Sequence, residues 1–417
     1  MDVTRRALRA VAARPRVLLA TLPGGTAVRL AAERHLRLRD WPTAATPAEA
    51  DLLVVAGPGH PDSRPPLDRL WRDMPAPRAR VHAPTVNDVE TALNDGRTRL
   101  CSPTGGDAGH VGQGGQADRG QAGHDERVDR YDTRSDHGGH DAHGGHGGME
   151  MRDGLPMAER GEDRDGLTLD RLHMPLGPFL ADWPPGLTIR LVLQGDVVQQ
   201  ADLTEVMGPG PVGETPAPFW SQPWLRAEAG EPVMVGEAVR RRSAAHLDSL
   251  GRLLAVAGWP AEAMVARRLR DDLLAEGSPA TYAPRLERFA HRVGRSRTLA
   301  WLTRGIGELG TDEARERGVG GPAARAGGDV TDRYRKWLTD LRGDVRRLDE
   351  PALLDPTAEE SPRGRWKTGR PPPSAALVAL LPRMLAGTEL AAARLVVAGL
   401  DPDLDELAAG PEVTAGA

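Results

Sequence analysis

Apolar and polar positions follow two different regimes along this chain, with a polar stretch between them. Residues 16–21 (RVLLAT) form a short apolar run that ends in turn residues, the pattern of a buried strand. Gly24 and Gly25 follow, read as a plain turn, and then a helical pattern runs to about Leu38. A second strand is predicted over 51–57 (DLLVVAG). After it comes a helix over 65–74 with prolines at its start, where a missing N–H costs little. A third strand follows over 78–83, and NDVETAL then opens another helix with Asn87 as its N-cap. Such strand–helix alternation predicts a small parallel α/β domain.

The second regime begins near Leu167. TIRLVLQGDVVQQADL (188–203) predicts two strands around the turn Gln194-Gly195-Asp196. From Val233 to Leu302 the period is helical: Leu247, Leu250 and Leu254 share one face, Val265, Leu269 and Leu273 another, and Leu286, Phe289 and Val293 a third. Further helices fit 329–349 and 374–386. The expected fold is a mainly α domain with a small β region at its start. Between the regimes, Gly, Asp, His, Arg and Gln dominate, and such a segment buries too little apolar surface to offset its ordering entropy. The expected organisation is an α/β domain over 1–100, a disordered His/Gly-rich linker over 101–165, and a second domain over 166–417.

Hydrophobic residues make up 39% of the chain, and no run of about 18 apolar residues suggests a membrane span. The basic start leads straight into a strand pattern, so no signal peptide is expected. Net charge is −5, which provides no overall basic field for nucleic acid. Lysine occurs only at Lys336 and Lys367, and the Arg, Ala, Gly and Pro usage is that of a GC-rich coding sequence.

Two sets of motifs carry a family resemblance. EADLLVVAG (49–57) and PPLDRLWRDMPAPRARVHA (65–83) resemble the B subunit of complex I, the proton-pumping NADH:quinone oxidoreductase, a relative of the nickel–iron hydrogenase small subunit. In the second domain, LTIRLVLQGDVV (187–198), GVGGPAARAGG (318–328), GDVTDRY (328–334), ESPRG (360–364), SAALVALLPRMLAGTELAAA (374–393) and LDPDLDEL (400–407) resemble, in order, motifs of the D subunit, the hydrogenase large-subunit relative. The resemblance implies a B-like α/β domain fused to a D-like domain. It also implies structural motif positions at Gly321, Pro322, Arg325, Asp329, Asp332, Arg333, Pro362, Arg363 and Gly364. Of these, Asp329, Asp332 and Arg333 are expected to form ion pairs on a helix.

The redox residues that the resemblance would bring are missing. The B subunit holds a four-iron cluster through four cysteines; here TLPGG (21–25) occupies the first turn, and the chain has one cysteine, Cys101. No iron–sulfur cluster is therefore expected. The D subunit presents two histidines to quinone in a G-P-x-H-P-x-x-H-G loop. Here the segment reads GPFLADWPPG (177–186): Gly177, Pro178 and Gly186 persist as turn residues, Leu180 stands where the first histidine would be, and Pro185 stands near the second. Neither can hydrogen-bond a quinone carbonyl or supply a proton. His173 lies upstream of the motif. Phe179, Leu180 and Trp183 are expected to be exposed as partner anchors.

In the linker, His137, His140, His143 and His146 recur every third residue, preceded by His110 and His124 and followed by Met149 and Met151. Imidazoles on a flexible chain are expected to bind nickel or zinc weakly. His246 is read as packing and Cys101 as incidental.

The leading expectation is a complex I-like accessory subunit. It docks on antiporter-like membrane subunits at the inner, cytoplasmic face of the cell membrane, without redox chemistry, in a family whose other subunits use NAD and quinone. Direct lipid insertion is not expected, since no strongly basic amphipathic helix stands out. The rivals are a nickel- or zinc-handling protein serving a hydrogenase-type partner, and an active quinone oxidoreductase subunit.

Overall fold

A computed structural model of the chain describes residues 13–101, 159–162, 168–204, 216–277, 279–366 and 369–409. The N-terminal unit is a three-stranded parallel sheet, β1 (Val17–Thr21), β2 (Leu52–Ala56) and β3 (Ala79–Ala83), in that order. Val17 lies opposite Leu52, and Leu52 opposite Ala79. The central strand β2 is buried at every position, so it reads as a continuous apolar run. Side chains alternate between the sheet's two faces. Val17, Leu52 and Val54 pack with α1 (Thr26–Leu38) and α3 (Val89–Cys101), while Leu18, Leu53 and Val55 pack with Leu67 of α2 (Arg64–Asp73) and with Met74. The expected Asn87 cap is not the one used. Thr85 and Asp88 form a reciprocal capping box around a single 3-10 turn that feeds α3.

The second unit opens with a four-stranded antiparallel sheet in the order β4 (Glu159–Glu162), β5 (Thr168–Leu176), β6 (Ile189–Gln194), β7 (Val197–Leu203). The first of these strands falls within the 101–165 segment expected as linker. Glu159–Glu162 pairs along β5 through backbone groups, which need no apolar side chain, so composition alone hid it. Residues 102–158, with the linker histidines and Met149 and Met151, lie outside the described residues.

The helices follow as α4 (Gln222–Glu228), α5 (Val235–Val256), α6 (Pro260–Leu274), α7 (Pro279–Gly294), α8 (Arg297–Thr303), α9 (Thr311–Glu316), α10 (Gly321–Ala326), α11 (Val330–Val345), α12 (Pro373–Leu385), α13 (Leu390–Leu400) and α14 (Leu404–Ala408). One core joins α5, α6, α7 and α11 through Leu247, Leu250, Leu254, Leu269, Leu286, Phe289, Val293 and Leu338. A second joins the sheet to α12 and α13 through Ile189, Leu191, Leu193, Leu377, Leu381 and Val396. The three apolar faces read from the sequence are thus core faces, although Val265 stays half-buried. Among the described residues no helix is long and apolar enough to cross a membrane.

Candidate functional site

The GPFLADWPPG loop joins β5 to β6 and lies where the two units meet. Its shape is set at Gly177, which has φ of 100°. A Cβ on Gly177 would stand 2.0 Å from the Leu187 carbonyl oxygen. That same oxygen accepts a 2.7 Å hydrogen bond from the Trp183 indole N–H, which closes the loop. Trp183 is therefore 6% exposed, and Phe179 packs on the N-terminal unit's core beside Leu18 and Leu67. The expectation of three exposed anchors fails for these two, because the loop uses its aromatic residues to bind itself to the protein. Leu180 alone remains outward, 40% exposed. Pro178 and Pro185 are half-buried and Gly186 is buried, while His173 is exposed on β5.

Beneath this loop runs a buried seam of charge. Asp182, in the loop, pairs with Arg267 of α6. Asp248 of α5 receives both Arg29 of α1, at 2.7 Å, and Arg270 of α6, at 2.5 Å, with Arg252 at 3.1 Å. Arg270 also reaches Glu33 of α1 at 2.8 Å, and Arg37 pairs with Asp271. Burial alone would push both acids up. For Glu33 it is outweighed by Arg270 and Arg29, which hold its carboxyl at about 2. For Asp248 it is outweighed by Arg29, Arg252 and Arg270, and the group sits well below the usual carboxylate range. Asp182 goes the other way, since burial outweighs Arg267.

A second crossing lies at the C-terminal end of the described chain. Asp405 of α14 accepts from the backbone N–H of Gly24 at 2.7 Å and of Thr26 at 3.3 Å. The Gly24-Gly25 turn, read as plain, is thus an anion receiver at the start of α1, filled by the protein's own carboxylate. Gly25 is required there: a Cβ would stand 2.4 Å from the Ala56 carbonyl oxygen. Glu406 accepts from the Ser221 hydroxyl at 2.6 Å and from the Ser374 N–H at 3.0 Å. Burial raises Asp403, Asp405 and Glu406, and at Asp403 the two neighbouring acids add to it. This triplet retains protons more readily than ordinary carboxyls do.

The resemblance motifs interlock around the same end of the molecule. Arg363 donates through Nε to the Asp401 carbonyl at 2.5 Å and pairs with the Asp401 carboxylate. Gly321 (φ 63°) packs against the Arg363–Gly364 backbone so closely that a Cβ would lie 2.6 Å from the Arg363 oxygen. Pro322 and Pro362 are buried beside these turns, and Arg325 pairs with Glu360 and with Asp340. Asp329 caps α11, accepting from the Asp332 N–H while Asp332 accepts from that of Asp329. The expected ion pairing of Arg333 is corrected. It is buried and donates to two carbonyls, Gly328 at 3.1 Å and Gly307 at 2.8 Å, and burial lowers it to about 10.

Sequence reasoning missed the seam, although Arg29, Glu33 and Arg37 stood at helical spacing on one face of α1. Such spacing usually marks a solvated stripe, and only the fold reveals the opposing charges on α5 and α6. His246 is fully buried and burial lowers it to about 3, so it packs as a neutral ring. Cys101 is exposed at the end of α3. Among the described residues no group of three or more His, Cys, Asp or Glu side chains is arranged to hold a metal ion. A four-iron cluster needs four thiolates, and the chain's single cysteine does not fit it. Leu180 and Pro185 likewise do not fit a quinone carbonyl.

No protein-family model matches this chain, and no curated protein does. Among solved structures, a chain from the membrane-bound sulfane sulfur reductase (MBS), an archaeal respiratory membrane complex, aligns over 57% of this chain and 98% of its own length. The identity is 15% and the TM-score 0.39. So loose a superposition leaves the functional reading to the residues themselves.

Proposed function

We propose that this chain is a docking subunit of a complex I-like, ion-translocating membrane assembly, a B-like unit fused to a D-like unit, with no redox chemistry of its own. The observation that carries the reading is the interlocking of the D-like motifs. GVGGPAARAGG, ESPRG and LDPDLDEL are separated along the chain, yet Gly321, Arg363 and Asp401 bring the three into direct contact. In this reading the first turn of the B-like unit holds Asp405 in place of a cluster, and the electrostatic seam replaces electron transfer with a rigid joint. The partners are antiporter-like membrane subunits at the inner face of the membrane, and the GPFLADWPPG loop contacts them through Leu180.

Salt-washed native membranes test this reading. At about 1 M salt the screening length falls to about 3 Å, so association held by charge alone is lost while an apolar protein contact persists. The wild type is expected to stay on washed membranes. Leu180→Arg, an exposed change that leaves the closed loop intact, is expected to shift the protein at least about tenfold towards the soluble fraction. A wild type that washes off, or a variant that stays, contradicts the assignment.

A further inference from the structure

The segment from Arg288 to Gly307 contains five arginines and one histidine and no acidic residue. They lie on the exposed sides of α7 and α8 and the turn between them. Arg288, His291 and Arg292 lie three and four apart on α7, and Arg295 continues the line, so they share one helix face, and all four are exposed. The opposite face of α7 is buried through Leu286, Phe289, Ala290 and Val293. On α8, Arg297 stands one turn from Trp301, and Arg304 follows the helix; all three are exposed. Trp301 is 76% exposed, the most exposed large apolar side chain among the described residues.

Charge pairing separates this patch from the general arginine excess. Arg292 pairs with Glu262 at 2.7 Å, but among the described residues Arg288, Arg295, Arg297 and Arg304 have no ion pair. The neighbouring acid Glu287 is already bound to Arg342 at 2.8 Å. Four exposed guanidiniums, unpaired among the described residues, thus lie with one exposed indole on two consecutive helices of a protein whose net charge is −5.

We infer that the outer face of α7 and α8 is a contact surface for anionic lipid headgroups, with Trp301 seated at the membrane–water boundary. Guanidiniums pair with phosphate oxygens in bidentate geometry. Cations near an anionic leaflet add attraction one by one, and an indole favours the boundary layer because one edge is apolar and the other donates a hydrogen bond. Single-stranded nucleic acid is bound over a series of aromatic platforms, and this surface offers one. The sequence expectation against a basic amphipathic helix is refined accordingly. The basic face exists, but its apolar partner face is packed in the core, so α7 adsorbs at the headgroups and does not insert. The surface is distinct from the Leu180 contact and does not depend on the assembly proposed above.

The test is co-sedimentation of the purified full chain with vesicles of phosphatidylcholine containing about 30% phosphatidylglycerol, at low salt, beside vesicles of phosphatidylcholine alone. Binding is expected to the anionic vesicles only and to fade as salt rises. Arg295→Glu and Arg297→Glu are each expected to weaken it about fivefold or more, and Trp301→Ser is expected to weaken it without changing the thermal midpoint. Equal binding to neutral vesicles, indifference to the charge reversals, or displacement from the vesicles by single-stranded nucleic acid at equal phosphate concentration would each overturn the inference. Because these vesicles contain no protein, their outcome is independent of the washed-membrane experiment.

Discussion

Replacing Asp248 by Ala is expected to cost about 3–5 kcal/mol of folding stability, because it leaves buried arginines without their counter-charge. Asp248 is 2% exposed and is the point where Arg29, Arg252 and Arg270 converge. Arg29 belongs to the N-terminal unit and Arg270 to the second, so the loss falls on the joint itself. An exposed pair provides the comparison: removing Asp312, which meets Arg315 at the surface, is expected to cost under about 1 kcal/mol. Urea unfolding followed by tryptophan fluorescence measures both. The pH dependence has a definite sign. Asp248 and Glu33 are depressed in the folded protein, so their contribution is complete above the unfolded carboxyl range and is lost as pH falls. For Glu33 the loss runs from about 4.5 down to about 2. The wild type should therefore weaken across that window more steeply than the Asp248→Ala variant. Equal slopes, or a cost for Asp248→Ala no larger than for the exposed pair, would show that the seam does not hold the units together.

Gly177→Ala is expected to be as damaging, on the order of 3–5 kcal/mol, for two reasons that add. The residue's φ of 100° lies in a region that side-chain-bearing residues rarely adopt, and the new Cβ would stand 2.0 Å from the Leu187 oxygen. That oxygen cannot retreat without breaking the Trp183 hydrogen bond that closes the loop. Gly195 in the β6–β7 turn separates the two effects. It also has positive φ, 61°, but a Cβ there meets nothing within 4 Å, so Gly195→Ala should cost only about 1–2 kcal/mol. Thermal midpoints of the two variants compare them directly. If the two substitutions cost the same, the close packing of the loop is not present in solution.

Most of the element order was legible from apolar periodicity, because β1 to β3 and the helices α5 to α7 bury whole runs or regular faces. What escaped followed from interactions between distant segments. The β4 strand is backbone pairing between polar residues, which leaves no apolar signature. Trp183 looked like a surface anchor because its burial depends on a turn at Gly177 and a carbonyl at Leu187. Arg333 looked like an ion-pair partner because a sequence shows charges but not the carbonyls of Gly328 and Gly307 that accept from it. The seam was half-visible: Arg29, Glu33 and Arg37 were in register on α1, but their partners lie more than two hundred residues away. The single cysteine, by contrast, and Leu180 and Pro185 in the GPFLADWPPG loop are read directly from the order of residues.

The docking claim is tested most directly by purifying the tagged full chain from detergent-solubilised membranes of its native host and identifying what accompanies it in stoichiometric amount. The account predicts polytopic, antiporter-like membrane subunits, retained through a salt wash and lost from the Leu180→Arg variant. Recovery of the chain without any integral membrane protein, or with hydrogenase maturation proteins in their place, would contradict it.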